Sequence, residues 1–119
     1  MSALHIKCLL ILMFCLPASV IAQSMTEKYC HLQILKHGKH IQVNINYGNK
    51  NAPIFRDSSV VVQLENLTKL TNDVDVLNSI AKNGWILVGL TDMVQGTYDV
   101  SNFYFKRIFS QLELINETN

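Results

Sequence analysis

One stretch of the chain, residues 70–88, combines a helix start, an apolar helix face, a helix stop and a strand-like run. Asn72 is a good N-cap, because its side-chain oxygen can accept hydrogen bonds from the free amides of a first helical turn. Asp75 follows three residues later, where its carboxylate can reach back to the cap amide. Gly84 fits the left-handed position that ends many helices. The stretch therefore predicts a short helix that Gly84 connects to a strand.

The predicted helix is amphipathic, and the run from Trp85 to Val88 is compact and apolar, which is typical of a buried strand. Trp85 is predicted to be a core anchor where helix meets sheet, and a stacking platform at a groove is the alternative. Apolar residues recur at spacings of three and four and predict one buried helix stripe. That stripe consists of Val74, Leu77, Ile80 and Ala81. We expect Asn72, Asp75, Leu77, Gly84 and Trp85 to serve the fold.

The first residues have the pattern of a secretory signal peptide, with Lys7, an apolar run over residues 8–16, a break at Pro17 and small residues up to Ala22. An uncleaved membrane anchor is the alternative, but the apolar run is short for a bilayer span. We expect residues 1–22 to be cleaved and the protein to be exported, to a periplasm or out of the cell. No stable membrane anchor would then remain.

Cleavage would leave 97 of the 119 residues, enough for one domain with a modest core. We assign residues 23–110 to a single domain and residues 111–119 to a polar C-terminal tail. Only Lys7 is lost with the signal, so the remaining charge is near zero, which argues against a nucleic-acid binder.

Cysteine usage is limited to three residues, and two of them, Cys8 and Cys15, lie in the predicted signal. Cys30 would remain alone, so no intrachain disulfide is expected. A lone thiol in an oxidising compartment is either buried or available for intermolecular pairing. Burial is favoured, because free cysteine is among the most buried residue types.

Alternating patterns predict strands at both ends of the domain. Residues 29–35 and 41–47 alternate around a turn that contains Gly38, which predicts a β-hairpin. Residues 100–109 alternate in the same way, after the strand that begins at Trp85. Residues 60–64 have strand composition and are assigned to a short edge element. The predicted order ββ(β)αββ is an α+β fold, a mainly antiparallel sheet of about four to five strands covered on one face by one helix.

A set of short motifs in this order resembles small exported proteins of gut-type Gram-negative bacteria, which have no established activity. The motifs are Tyr29-Cys30, the D-x-L-N motif at 75–78, Gly84-Trp85 and the F-K-R motif at 105–107. The second half is also similar to a domain family of unknown function in which a helix ends in G-W-E-L-V. The chain departs from the pattern at 46–48, where N-Y-G replaces D-F-G, and at Ile86, which replaces a glutamate. The resemblance implies a fold and an exported location, and no chemistry.

The residues with catalytic or metal-binding potential are few. His31, His37 and His40 lie within ten positions, and His37 and His40 flank a turn glycine, so both could face one metal ion. Zinc sites need three or four such ligands, and that number is not met locally, so we predict no metal and no cofactor. Cys30 and His31 are a candidate nucleophile and base. Adjacent strand residues face opposite ways, which argues against that pair.

The favoured function is a non-enzymatic binding or interaction module that uses exposed strand edges and the aromatic last strand. The alternative is a small envelope enzyme or a metal- or thiol-handling protein built on Cys30 and the three histidines. The expected partner is a protein or a small ligand, and the expected state is a monomer or weak homodimer. The predicted binding surface consists of His37, His40, Tyr98 and Tyr104.

Overall fold

The computed structural model of the protein describes residues 25–51 and 54–115. The predicted signal peptide lies outside these residues. The described chain forms a four-stranded antiparallel sheet with two helices, which confirms the predicted α+β class. The elements in chain order are β1 (Met25–His37), β2 (His40–Asn46), α1 (Ser58–Asn66), a 3₁₀ turn (Leu67–Lys69), α2 (Asp73–Lys82), β3 (Ile86–Gln95), β4 (Tyr98–Ser110) and a second 3₁₀ turn (Gln111–Glu113).

The strands lie side by side in the order β2-β1-β4-β3. Each hairpin therefore occupies one half of the sheet, and β1 pairs with β4 along nearly its whole length. β2 and β3 are the two edge strands.

The ladder register divides the side chains between two faces, because directly paired residues point to the same side of a sheet. Cys30 pairs with Phe105 and Leu32 with Phe103, and these side chains pack into the core under the helices. We call this side the core face. His31 pairs with Tyr104 on the other side, which we call the open face.

Residues 58–66 form helix α1, so the predicted short strand at 60–64 is wrong. Three successive valines favour a strand by composition. Asp57 nevertheless caps a helix, since its carboxylate accepts a hydrogen bond from the Ser59 amide at 2.9 Å. Val60, Leu64 and Leu67 are then buried on one side of the chain, at helical spacings of four and three.

Helix α2 begins and ends where the sequence predicts. The Asn72 side chain accepts from the amides of Val74 and Asp75, at 2.9 and 3.2 Å. At the other end Gly84 has φ +89°. Its amide donates to the Ala81 carbonyl at 3.1 Å and the Trp85 amide donates to the Ile80 carbonyl at 3.4 Å. This pair of bonds is a Schellman motif, and it fixes the direction in which the chain leaves the helix.

The buried stripe of α2 differs from the predicted one. Val76 and Ile80 are fully buried and Leu77 packs against the core, whereas Val74 and Ala81 are exposed. The stripe is centred on Ile80, and Val74 lies on its flank in the first turn. Among the described hydrogen bonds there is none from the Asn72 amide to the Asp75 carboxylate, so the predicted reciprocal bond is absent.

Trp85 lies in the core, 3% exposed, where α2 leads into β3. Its ring meets that of Phe109 edge-on with centroids 5.9 Å apart, and Phe109 also contacts Phe55 at 4.9 Å. Edge-to-face and tilted aromatic pairs add to the stabilisation from area burial.

The strand after Trp85 is not buried, contrary to prediction. Nine of the ten residues of β3 are exposed, and only Gly89 is partly covered. The reason is position: β3 is the outermost strand, beside β4 alone.

The first residues of the predicted tail lie against the domain. Leu114 is buried and forms a bridge with Phe55. The Ile115 amide donates to the Ile54 carbonyl at 2.8 Å. The packed domain therefore extends to residue 115.

Candidate binding surface on the open face

All four residues of the predicted binding surface lie on the open face. Tyr98 and Tyr104 belong to the same face of β4, and both are exposed. His37 and His40 are direct partners at the end of the β1–β2 hairpin and are also exposed. In the part of the chain that the structure describes, no helix or loop packs on this face.

The centre of the open face is a stacked pair of rings. His31 and Tyr104 are cross-strand neighbours, with ring centroids 4.7 Å apart and ring planes inclined by 9°. The His31 Nε2 atom lies 2.8 Å from the Oδ1 atom of Asn102. Because that oxygen can only accept, Nε2 carries the proton in this arrangement. The bond fixes the orientation of the imidazole ring.

Asn102 connects this stack to a chain of amide side chains that crosses three strands. Gln33 donates to Asn102 Oδ1 at 3.3 Å, and Asn44 donates to Gln33 Oε1 at 3.1 Å. Gln42 on the edge strand donates to Asn44 at 3.5 Å, the longest bond of the series. Asn102 is nearly buried by its neighbours. The network holds several polar side chains in fixed orientations before any ligand is bound.

A second ring pair lies at the hairpin end of the face. His37 and Tyr98 have centroids 5.2 Å apart and planes inclined by 42°. The His37 Nδ1 atom lies 3.2 Å from the Thr97 carbonyl oxygen, so this nitrogen donates. The two ring pairs lie along the same β1–β4 ladder, with Val100 buried between them.

The charges at the far end of the face neutralise each other. Lys106 lies 3.1 Å from the Glu27 carboxylate, and the Tyr29 hydroxyl donates to the same carboxylate at 3.0 Å. The hydrogen bond from Lys106, followed by that from Tyr29, holds the pKa of Glu27 below its ordinary range. The bond to Glu27 raises the pKa of the Tyr29 hydroxyl.

Cys30 lies on the core face, 3% exposed, and its neighbour His31 points to the open face. Burial raises the pKa of the Cys30 thiol to about 12, so the thiol stays protonated at physiological pH. The structure does not bring the thiol and the imidazole together. Within residues 25–51 and 54–115, no group of three His, Cys, Asp or Glu side chains could hold a metal ion.

An open depression of about 400 Å³ lies near the free end of the β3–β4 hairpin. It is lined in part by Lys36, Asp92, Asp99 and Ser101. Lys36 forms an ion pair with Asp73 at the start of α2, and this bond lowers the pKa of Asp73. Lys36 therefore ties β1 to the helix.

The sequence indicated the two ring pairs only in part. The sequence makes His31 a candidate base or metal ligand, whereas in the structure it stacks on Tyr104. The amide network of Gln33, Asn44 and Asn102 was missed. The signal is the polar half of the alternation in each strand. Gln33 and Asn44 meet within the β1–β2 hairpin, but Asn102 joins them only through the β1–β4 pairing, which brings together the two ends of the chain.

The chain matches no protein-family model, and a search of the curated proteins finds no match to it.

Of the helices in the described part, none is both long and apolar enough to span a membrane.

Proposed function

We propose that this protein is a non-enzymatic binding module of the cell envelope or the extracellular space, and that it binds a protein partner through the open face. The observation that supports this most strongly is that His37, His40, Tyr98 and Tyr104 share one exposed sheet face. The signal-like residues 1–22 and the resemblance to small exported proteins support the location.

The shape of the face favours a protein over a small molecule. Small-molecule sites are concave and enclose most of the ligand. The open face is the outer side of a four-stranded sheet, with rings and amides spread over three strands. A broad surface of this kind suits a partner that also presents a broad surface.

The chemistry of the face also fits a protein interface. The central parts of such interfaces are depleted in charge and enriched in tyrosine. On the open face Tyr29, Tyr98 and Tyr104 are exposed, and the one described ion pair, between Glu27 and Lys106, lies toward one end. The amide network offers oriented donors and acceptors between the rings. Tyrosine side chains at the centre of such a patch commonly supply much of the binding energy.

The enzyme or metal-handling alternative requires Cys30 to meet His31 or the hairpin histidines. These groups lie on opposite faces of the sheet, and the thiol has a raised pKa. No observation on the described residues favours this alternative over the binding module.

The test is capture of partners from envelope extract and culture medium with three forms of the purified protein. One is the wild type, one carries Tyr98→Asp and Tyr104→Asp on the open face, and one carries Val62→Asp and Val74→Asp on the exposed sides of the helices. All four positions are exposed, so each double variant places two added negative charges at solvent-accessible positions. Circular dichroism checks that each variant is folded.

We expect a protein that is recovered at native abundance with the wild type and the helix-side variant, and lost with the open-face variant. Retention of that protein by the open-face variant would contradict the proposal. If the wild-type protein captures no partner protein from either the extract or the medium, that result would contradict the proposal as well.

A further inference from the structure

The edge strand β3 exposes apolar side chains on both sides of the sheet. Its register with β4 places Ile86 and Met93 on the open face, and Leu90 and Val94 on the core face. All four are more than half exposed, and Val94 reaches 74%. Exposed large apolar side chains grouped along one strand are a feature of interaction surfaces in soluble proteins.

β3 also has few of the devices that protect an edge strand. Natural edges are usually blocked by lysine, proline, inward-pointing charge or a covering element. The ten residues of β3 include no lysine, arginine or proline, and Asp92 is the only charged side chain. A register shift between Leu87 and Gly89 disturbs the start of the strand, and residues 89–95 pair regularly with β4. No described element pairs with the outer side of β3.

The other edge of the sheet is different. β2 places polar side chains on its open face, and its remaining side, with Val43 buried and Ile41 and Ile45 against the core, is covered. Tyr47, just beyond β2, donates to Glu65 of α1 at 2.7 Å, so the helical layer reaches this edge. The uncovered apolar strand is therefore β3.

We propose that β3 pairs antiparallel with β3 of a second copy of this chain, which joins the two sheets into one of eight strands. A two-fold axis normal to the sheet places the open faces of both copies on the same side. The apolar side chains on each face of β3 would then lie beside those of the partner's β3. Backbone groups on the free side of β3 would pair at the same time. This inference does not depend on the proposed function of the open face.

Charge and symmetry favour a second copy as the occupant. A largely apolar edge with one charged side chain is complementary to another of the same kind when the two charges are offset, and β3 presents the same pattern to both sides of a two-fold axis. Without the predicted signal segment the formal net charge is near zero, so two copies repel each other weakly. With the axis at Thr91, Asp92 lies opposite the partner's Leu90, and the two carboxylates avoid direct opposition.

The dimer would also double the proposed binding surface. The two open faces would lie in one continuous sheet on the same side, since the axis preserves the face. A partner with repeated or symmetric features would then meet two copies of each ring pair.

The first test uses the protein purified without its predicted signal segment. Sedimentation measures its self-association from micromolar concentrations to about 1 mM. We expect a concentration-dependent dimer in the wild type. Val94→Lys should weaken the dimer by about tenfold or more, because a charged side chain at the edge opposes strand pairing. Val62→Lys, at an exposed valine of α1, should leave it unchanged.

The second test locates the interface independently of the lysine variants. Thr91→Cys on β3 and Gln42→Cys on β2 are treated with a flexible bismaleimide, while buried Cys30 stays unreactive. We expect a cross-linked dimer from the β3 position and none from the β2 position. Three results would overturn the proposal. One is a wild type that stays monomeric at the highest concentration, whether or not added extended apolar peptides bind to the β3 edge. The others are a Val94→Lys dimer as tight as that of the wild type and cross-linking at the β2 position alone.

Discussion

Leu90 and Phe103 are direct partners in the β3–β4 ladder, but Phe103 packs against the core and Leu90 is half exposed. The boundary of the helical layer therefore runs between these two strands. The helices cover the core face over β2, β1 and β4 and stop short of β3. Two surfaces are left without cover by the described elements, the open face and the edge strand β3.

Two glycines near the start of β3, Gly84 in the turn after α2 and Gly89 within the strand, give a matched pair of substitutions. Gly84 has φ +89°, and Gly89 lies outside the left-handed region, with room for a Cβ 3.7 Å from the Tyr104 ring. Gly84→Ala should lower the free energy of unfolding by about 1–2 kcal/mol, since a left-handed backbone is costly for alanine. Gly89→Ala should change it by less than about 1 kcal/mol, and in the stabilising direction. Urea denaturation measures both, and equal losses at the two sites would contradict the account.

Cys30 should react slowly in the folded protein. Its pKa of about 12, against an ordinary 9.0, lowers the thiolate fraction at pH 8 by about a thousandfold, and burial blocks the reagent as well. We expect labelling by a disulfide reagent only as fast as the domain unfolds, and rapid labelling in urea. A Thr91→Cys variant provides the exposed control, because its new thiol should react at once. Immediate labelling of the wild type would show that the thiol is accessible.

The ion pair between Lys36 and Asp73 predicts a specific acid dependence of stability. The hydrogen bond from Lys36 holds the pKa of Asp73 below its ordinary value of 3.8 in the folded state. The unfolded chain therefore takes up the proton first as the pH falls. The stabilisation is present above about pH 4 and is lost as the pH falls through the lower, folded pKa.

Lys36→Met should cost up to about 1 kcal/mol at pH 6, since both side chains are partly exposed. The difference from the wild type should shrink as the pH falls below 3.8 through the lower, folded pKa of Asp73, because a protonated carboxyl no longer pairs with Lys36. Lys39→Met, in the exposed β1–β2 turn, should show no such pH-dependent difference. A Lys36→Met deficit that stays constant down to low pH would assign the effect to packing instead.

Local signals were sufficient to predict several elements. The Asn72 cap and the Gly84 stop depend on hydrogen bonds within a few residues, and both ends of α2 match the prediction. The alternation over residues 29–35, 41–47 and 100–109, together with the apolar run after Trp85, predicts the strands of the sheet. Helix α1 differs from the predicted strand, because the valines at 60–62 favour a strand by composition whereas the Asp57 cap stabilises a helix.

The exposure of β3 and the assembly of the open face could not be predicted locally. The composition of Ile86–Gln95 is the same whether the strand lies inside a sheet or at its edge, and its place is set by the pairing of β1 with β4. The same pairing brings His31 to Tyr104 and Gln33 to Asn102, residues about 70 positions apart. A single sequence contains no local signal for this register.

The most direct test of the account is photo-crosslinking in the cells that produce the protein, with a benzophenone amino acid placed at position 104 or at position 62. Both positions are exposed, the first on the open face and the second on α1. We predict a discrete protein adduct from position 104 and none from position 62. An adduct from position 62 alone, or none from position 104 under conditions where a benzophenone control protein cross-links to its known partner, would contradict the assignment of the open face as the binding surface.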